Sequence, residues 1–591
     1  MNAYTKQTLI IALVSVIVSF AIYGNGVRAE FTYDDGPGIQ TRQDLKDPRN
    51  IFRLFVSPYY FQQPEIGLYR PLPMASYLLN YSLFGSSPVS FHIVNILLHA
   101  LSAFLVYKLI QLLFSRRDLS LLTFLLFLFH PIHTEAVSLI VGRAELFAFI
   151  FSLGFLYLHL TKKYLWAAIC FLASLLSKEI AVMTLPLLFF IKRRADLKPL
   201  GYVAMLFIYL SLRYLALGPY IFYTKALDFV ENPLPFVSIS ERVLTAFKVL
   251  TLYIEKLIYP IELSNDYSYN VIPIVKNPFG SWESLLGIGI VIGILVLVIH
   301  PKTRSTPLGL GALLFFLPYF LISNFVLMIG TIMAERLVYF SSFGFALIVA
   351  YLFTFLQSPK LRRVLICVIL ILYGWRTITR NEEWLSNDAL YAVNLKNHPE
   401  GFLTQLYWGT ALVGKNQIED AKKHLAQAQD IYPNNPKLIT TLGAIAQEEG
   451  NTTQAERYYK EAISKYNLAI EAYSRLGYLS FTQQKYEEAA DNLLKAIRLY
   501  PNPSDVSYYA RTQIQLKHPE IGIETIHRYF GYNPEDIEIV SALGYSYYIK
   551  EDYQTALPYL LKAQSLGNVN PEVAEMITIS QSMLKNPRSP F

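Results

Sequence analysis

Two adjacent carboxylates, Asp34 and Asp35, follow the first long apolar run of this chain, in Phe31-Thr-Tyr-Asp34-Asp35-Gly36. Just past a helix end, such a pair can supply a general base and a hydrogen-bonding or metal-binding neighbour. Asp-Asp-Gly is equally a turn signature. Arg70, in Leu68-Tyr-Arg70-Pro71-Leu72, is a guanidinium suited to hold a phosphate in a bidentate fork or to snorkel at a membrane surface. His92 and Asn95 open the next apolar run, with His99 one turn on. His130-Pro-Ile-His133-Thr-Glu135 contains three metal-ligand types. His-x-x-His-x-Glu is not a usual zinc spacing, so a hydrogen-bonded helix-end network is the simpler reading, and a divalent metal is neither required nor excluded. Three further strings set a cation near a carboxylate: Arg143 with Glu145, Lys178 with Glu179, and Arg336 with Glu335. Ion pairs at a membrane edge are costly, so they mark either a functional site or a bridge between helices.

The elements that must position these residues are membrane spans. Of 591 residues 53% are hydrophobic and 16% charged, far from the composition of a soluble fold. Two cysteines, both in apolar runs, exclude a disulfide scaffold and a cysteine-ligated zinc site. Apolar runs of membrane length fill residues 1–380 and predict about eleven spans. The basic clusters Arg116–Arg117, Lys162–Lys163, Lys192–Arg194, Lys302 with Arg304, and Lys360 with Arg362–Arg363 fall on one face only if 164–191 turns back on itself as a hairpin. The positive-inside rule favours that arrangement. The N-terminus is then cytoplasmic. The outer loops 28–90 and 218–282 and the C-terminal half then face the periplasm or a lumen. Residues 240–260 read as an interfacial amphipathic helix.

From 381 to 591 the grammar changes. Gly409, Gly443 and Gly477 recur every 34 residues, as do Ala421, Ala455 and Ala489. Units close on proline, as at Pro433, Pro501 and Asn533–Pro534. A 34-residue period with small residues at fixed sites predicts tetratricopeptide helix pairs, four to five of them, with a final helix at about 572–585. The unit at 502–534 is irregular, carrying Gly522 where alanine is expected. Such a solenoid suits peptide or protein binding. The fold class is therefore all-α: a polytopic bundle followed by an α-solenoid.

Taken together, Tyr33-Asp-Asp35, Tyr69-Arg-Pro71, Phe91-His92 with Asn95, His130-Pro-Ile-His-Thr-Glu-Ala-Val137, Gly142-Arg-Ala-Glu-Leu146, Ser177-Lys-Glu179 and Ala334-Glu-Arg-Leu337 resemble the transmembrane and tetratricopeptide-repeat (TMTC-type) O-mannosyltransferases, of the GT-C class. Residues 228–273 are similar to that family's outer-loop domain. The resemblance implies a polyprenyl- or dolichyl-phosphate sugar donor, mannose or a similar hexose, and inverting transfer to serine or threonine of a protein. It implies Asp34 as base and Asp35 as its partner, with the roles exchangeable. It implies Arg70, Arg143, Lys178 and Arg336 around the donor phosphate, and His92, His133, Glu135, Glu145, Glu179 and Glu335 as support.

A membrane-anchored scaffold without catalysis and a GT-C polysaccharide ligase are the competing functions. A transporter is disfavoured by the absence of an inverted repeat in the hydropathy. Nucleic-acid binding is disfavoured because the basic clusters are short and set by topology.

Overall fold

The computed structural model describes residues 3–60, 63–191, 200–222, 228–532, 534 and 536–585. The basic cluster Lys192–Arg194 and Asn533 lie outside the described residues. Among the described residues every regular element is helical. Two compact units divide at Trp408/Gly409. Residues 381–408, expected with the repeats, belong to the first unit. Buried polar ties explain this: Asn394 bonds Ser264 and Asn265, and Thr404 bonds Asp266.

Among the described residues of the first unit six helices are long and apolar enough to cross a membrane. A seventh span forms if Arg117–Phe129 and Pro131–Ser138, bent by 51° at His130-Pro131, count as one. Tyr164–Leu175, Glu179–Leu188 and Pro307–Ile322 are apolar but shorter. This stands against the expected eleven. Three expected segments form those shorter helices, and a fourth, 361–378, lies in the 25-residue helix Pro359–Glu383, which is outside the six. The chain does break between Leu175 and Glu179, where Lys178 is extended, so 164–191 is not one helix. Ile239–Ile258 is amphipathic, as expected, and opens on a Ser238–Glu241 capping box. Ser281, Thr306 and Ser358 cap their helices through side-chain oxygens, the last two followed by proline at the first helical position.

Glycines bring two of these helices together. A Cβ on Gly344 would lie 2.3 Å from Phe315 N and 2.4 Å from Gly311 O. Pro307–Ile322 and Tyr339–Phe353 therefore pack backbone to backbone, as small residues permit in membranes. That contact fixes the 3-10 turn Glu335–Val338, which carries Arg336.

The second unit stacks helices as Ile418–Ile431, Pro436–Glu448, Thr452–Lys465, Ile470–Thr482, Tyr486–Leu499, Pro503–Gln515, Pro519–Phe530, Ile537–Ile549, Tyr553–Ser565 and Pro571–Lys585. A Cβ at Gly443, Gly477 or Gly544 would strike Tyr459, Leu493 or Leu560 of the paired helix. In the irregular unit the two small residues trade places. Gly522 packs against Ala510, with a Cβ there 2.8 Å from the Ala510 Cα. The pair keeps its spacing despite the sequence change. A cleft of about 560 Å³ is lined by Thr410, Asn416, Thr441, Glu448, Glu471 and Arg475.

Candidate active site

The Thr32–Asp35 turn presents its two carboxylates differently. Asp35 is fully buried and accepts backbone N–H bonds from Val141 (2.8 Å), Ile140 (3.1 Å) and Thr32 (3.4 Å). Burial pushes its carboxyl up to about 7, against the pull of those donors. Asp34 remains 32% exposed and meets Arg336 Nη2 at 3.0 Å. Tyr33 between the turn's ends is in the left-handed region (φ 49°) and donates its N–H to Asn387 Oδ1 at 2.8 Å. Strained backbone of this kind costs about 1–3 kcal/mol and is kept where surroundings dictate it. Asp35 thus pins the turn to the Ile140–Gly142 loop, while Asp34 points at the open side.

Arg336 is oriented by Glu135. Glu135 accepts from Arg336 Nη1 at 2.6 Å and from its backbone N at 2.9 Å, and is itself buried. The bend at His130-Pro131 is what delivers Glu135 to this position. One cation against two carboxylates leaves this group with one negative charge in excess, at Asp34.

A second group has the opposite balance. Lys178 pairs with Glu145, both nearly buried (8% and 4% exposed). Glu179 lies between Arg213 Nη1 (3.2 Å) and Arg70 Nη2 (3.5 Å). Three cations against two carboxylates leave one positive charge in excess. The groups adjoin: Glu145 is within electrostatic reach of both Arg70 and Arg336, and Tyr60 within reach of Asp34, Arg70 and Arg336.

None of the pairings suggested by sequence proximity forms among the described residues. Glu335 turns away from Arg336 to Arg380 (3.4 Å), Tyr267 and the Ser264 backbone. Arg143 is fully buried and makes four hydrogen bonds to neutral acceptors: Asn95 (2.9 Å), Asn80 (2.7 Å), Ser76 (3.1 Å) and Phe91 O (3.0 Å). Its guanidinium covers the Tyr77 ring at 4.7 Å. Expected beside a phosphate, Arg143 instead ties helices together. Gly142 before it must be glycine, because a Cβ would lie 2.3 Å from Ala136 O.

The histidines are also structural ties. His92 bonds Ala29 O at 3.1 Å, His133 bonds Ser342 Oγ at 2.7 Å, and His130 bonds Leu257 O at 2.9 Å. His130, His133 and Glu135 have separate partners and do not converge. Among the described residues no three His, Cys, Asp or Glu side chains group to hold an ion.

Two site residues stand outside the set singled out from sequence. Arg213 was visible as a lone arginine in the apolar helix Leu200–Leu217, which is the signal for a functional or paired charge. Glu231 sits in the outer loop beside Asp34, and burial, then the nearby Asp34, push its carboxyl up to about 8. No sequence pattern marks it.

Known proteins are similar to both halves. A tetratricopeptide-repeat family model matches residues 440–502. Protein O-mannosyl-transferase F38B6.6 of Caenorhabditis elegans is 26% identical over 71% of this chain. Protein O-mannosyl-transferase TMTC3 of Mus musculus is 26% identical over 87% of it, and TMTC1 of Homo sapiens 25% identical over 82%. The chain's homologues are TMTC-type protein O-mannosyl-transferases. The alignments cover 62% of the length of each of these relatives. A solved structure titled for Pseudomonas aeruginosa pilF aligns with 32% of this chain and 95% of its own, at 20% identity and TM-score 0.28.

Proposed function

We propose that this chain is an integral-membrane glycosyltransferase that moves a hexose from a polyprenyl-phosphate carrier to serine or threonine of a protein. The observation that carries the reading is the adjacency of two unbalanced charge groups, anionic at Asp34 and cationic at Arg70. A phosphodiester donor carries one negative charge and suits the cationic group. Asp34 accepts the acceptor hydroxyl's proton as the oxygen bonds to the sugar C1 from the face opposite the phosphate. The C1–O bond to phosphate breaks in the same step, with inversion, and leaves a polyprenyl phosphate. The second negative charge that forms on it is stabilised by Arg70, with Arg336 close by. Asp35 holds the turn, Arg143 and Lys178 serve as scaffold rather than as phosphate contacts, and His92 and His133 support the helices around the site.

In this reading the Asp34 loop and the C-terminal repeats share one external compartment, the arrangement that the positive-inside rule favours for the basic clusters. The repeats are then available to acceptor polypeptides, with the cleft between Thr410 and Arg475 as a binding surface.

The test is to incubate the purified full chain with polyprenyl-phosphate [³H]mannose and a serine/threonine-rich protein. Label in protein that is released by β-elimination supports the reading. Label confined to glycan, or no transfer, would sink it in favour of a ligase or a scaffold.

A further inference from the structure

Glu179 shares its carboxylate between two arginines that are held very differently. Arg213 donates from Nε to Ile221 O (2.9 Å), from Nη2 to Gly67 O (2.7 Å), and from Nη1 to both Tyr209 Oη (3.1 Å) and Glu179 Oε1 (3.2 Å). Four acceptors fix it, on Leu200–Leu217, on the turn that follows, on the outer loop and on the turn after Lys178. Among the described residues Arg70 has one long polar side-chain contact, to Glu179 Oε2 at 3.5 Å. Its buried Nε has no acceptor among the described residues, and the guanidinium rests over the Tyr59 ring at 5.6 Å.

A guanidinium and a carboxylate left to themselves close to about 2.7–2.9 Å and cancel each other's charge. Arg70 and Glu179 have not done so. Arg213 on the other carboxylate oxygen satisfies Glu179 and restrains it, and Glu145 neutralises the adjacent Lys178. The excess positive charge of the group is thereby left on Arg70, whose Nε has no acceptor among the described residues.

We infer that Arg213 is a positioning residue: it engages Glu179 so that Arg70 stays an available cation for the donor's phosphate. The inference rests on the reading of Arg70 as a phosphate contact. It also assigns Glu179 an antagonistic role, restraining anion affinity rather than supporting it.

The experiment measures binding of a short-chain polyprenyl phosphate, without sugar, to the detergent-purified full chain. Arg70→Gln is expected to weaken binding by about tenfold or more, as loss of a charged hydrogen bond does. Arg213→Gln is expected to weaken it comparably, because Glu179 then closes onto Arg70. Glu179→Gln is expected to tighten binding by about threefold or more, since a charge opposing the phosphate is removed without change of shape. The Arg213→Gln, Glu179→Gln double variant is expected to return to within about threefold of the unmodified protein. A purely structural role gives neither the tightening nor the rescue. The Glu179→Gln arm stands even if Arg213→Gln fails to fold. Weaker or unchanged binding by Glu179→Gln overturns the inference, and so does a double variant as weak as Arg213→Gln. If Arg70→Gln binds as the unmodified protein does, the phosphate reading itself fails.

Discussion

Arg143 and Arg70 occupy two neighbouring regions of the bundle under opposite rules. Around Arg143, two asparagines, a serine and a backbone carbonyl take four of its five N–H donors, an aromatic ring covers its face, and no solvent reaches it. Around Arg70, one carboxylate is shared with a competitor and, among the described residues, a buried N–H lacks an acceptor. A saturated cation stabilises a fold, whereas an under-satisfied one retains free energy that a ligand can release. The same distinction separates Asp35, with three backbone donors, from Asp34, with a single partly exposed partner.

Substitutions that keep shape but remove charge break the comparison most sharply. Arg143→Met is expected to cost about 1–3 kcal/mol for each of the buried Asn95 and Asn80 oxygens it leaves without a donor. It should appear as a large fall in thermal midpoint and in yield from membranes. Arg70→Gln is expected to do the reverse: a thermal midpoint close to the unmodified protein's, and a KM for donor raised by about tenfold or more. Equal thermal losses in the two variants would dissolve the distinction. Gly142→Ala should cost about 1–3 kcal/mol through overpacking against Ala136 O, with the KM for donor unchanged in protein that folds.

The smallest effect is in pH dependence. Asp35 and Glu231 have folded-state carboxyls raised to about 7 and about 8, from 3.8 and 4.5. A carboxyl raised on folding binds its proton more tightly in the native state. Stability from both is therefore fully present below about pH 4 and is lost as the pH climbs toward 8. Glu231→Gln is expected to flatten the upper part of that decline in thermal midpoint. An unchanged slope would contradict the assignment.

The solenoid was legible because its small residues repeat at a fixed interval and each is needed for helix-to-helix contact. Even the irregular unit follows this logic, with Ala510 and Gly522 exchanged. The span count was not legible, since hydropathy does not separate a crossing helix from a short or broken one such as Arg117–Phe129 with Pro131–Ser138. The strings Asp34-Asp35, His130–Val137 and Gly142–Leu146 lie close together in the structure, through Asp35 with Ile140 and Val141 and through Arg336 with Asp34 and Glu135, but their sequence does not tell which member faces the cluster. Partner choice was the hidden part. Lys178 pairs with Glu145 rather than Glu179, and Arg336 with Glu135 and Asp34 rather than Glu335. Those choices depend on which turns of different helices meet, and that is set by packing between helices rather than by spacing along one of them.

The central claim is that Asp34 is the base and Arg70 the phosphate contact of a hexose transfer. Its most direct test is the single-turnover rate of transfer from polyprenyl-phosphate mannose by Asp34→Asn, with polyprenyl-phosphate binding measured on the same preparation. The account predicts a rate lowered by about 10²–10⁴-fold with binding retained. Transfer at the normal rate would contradict it.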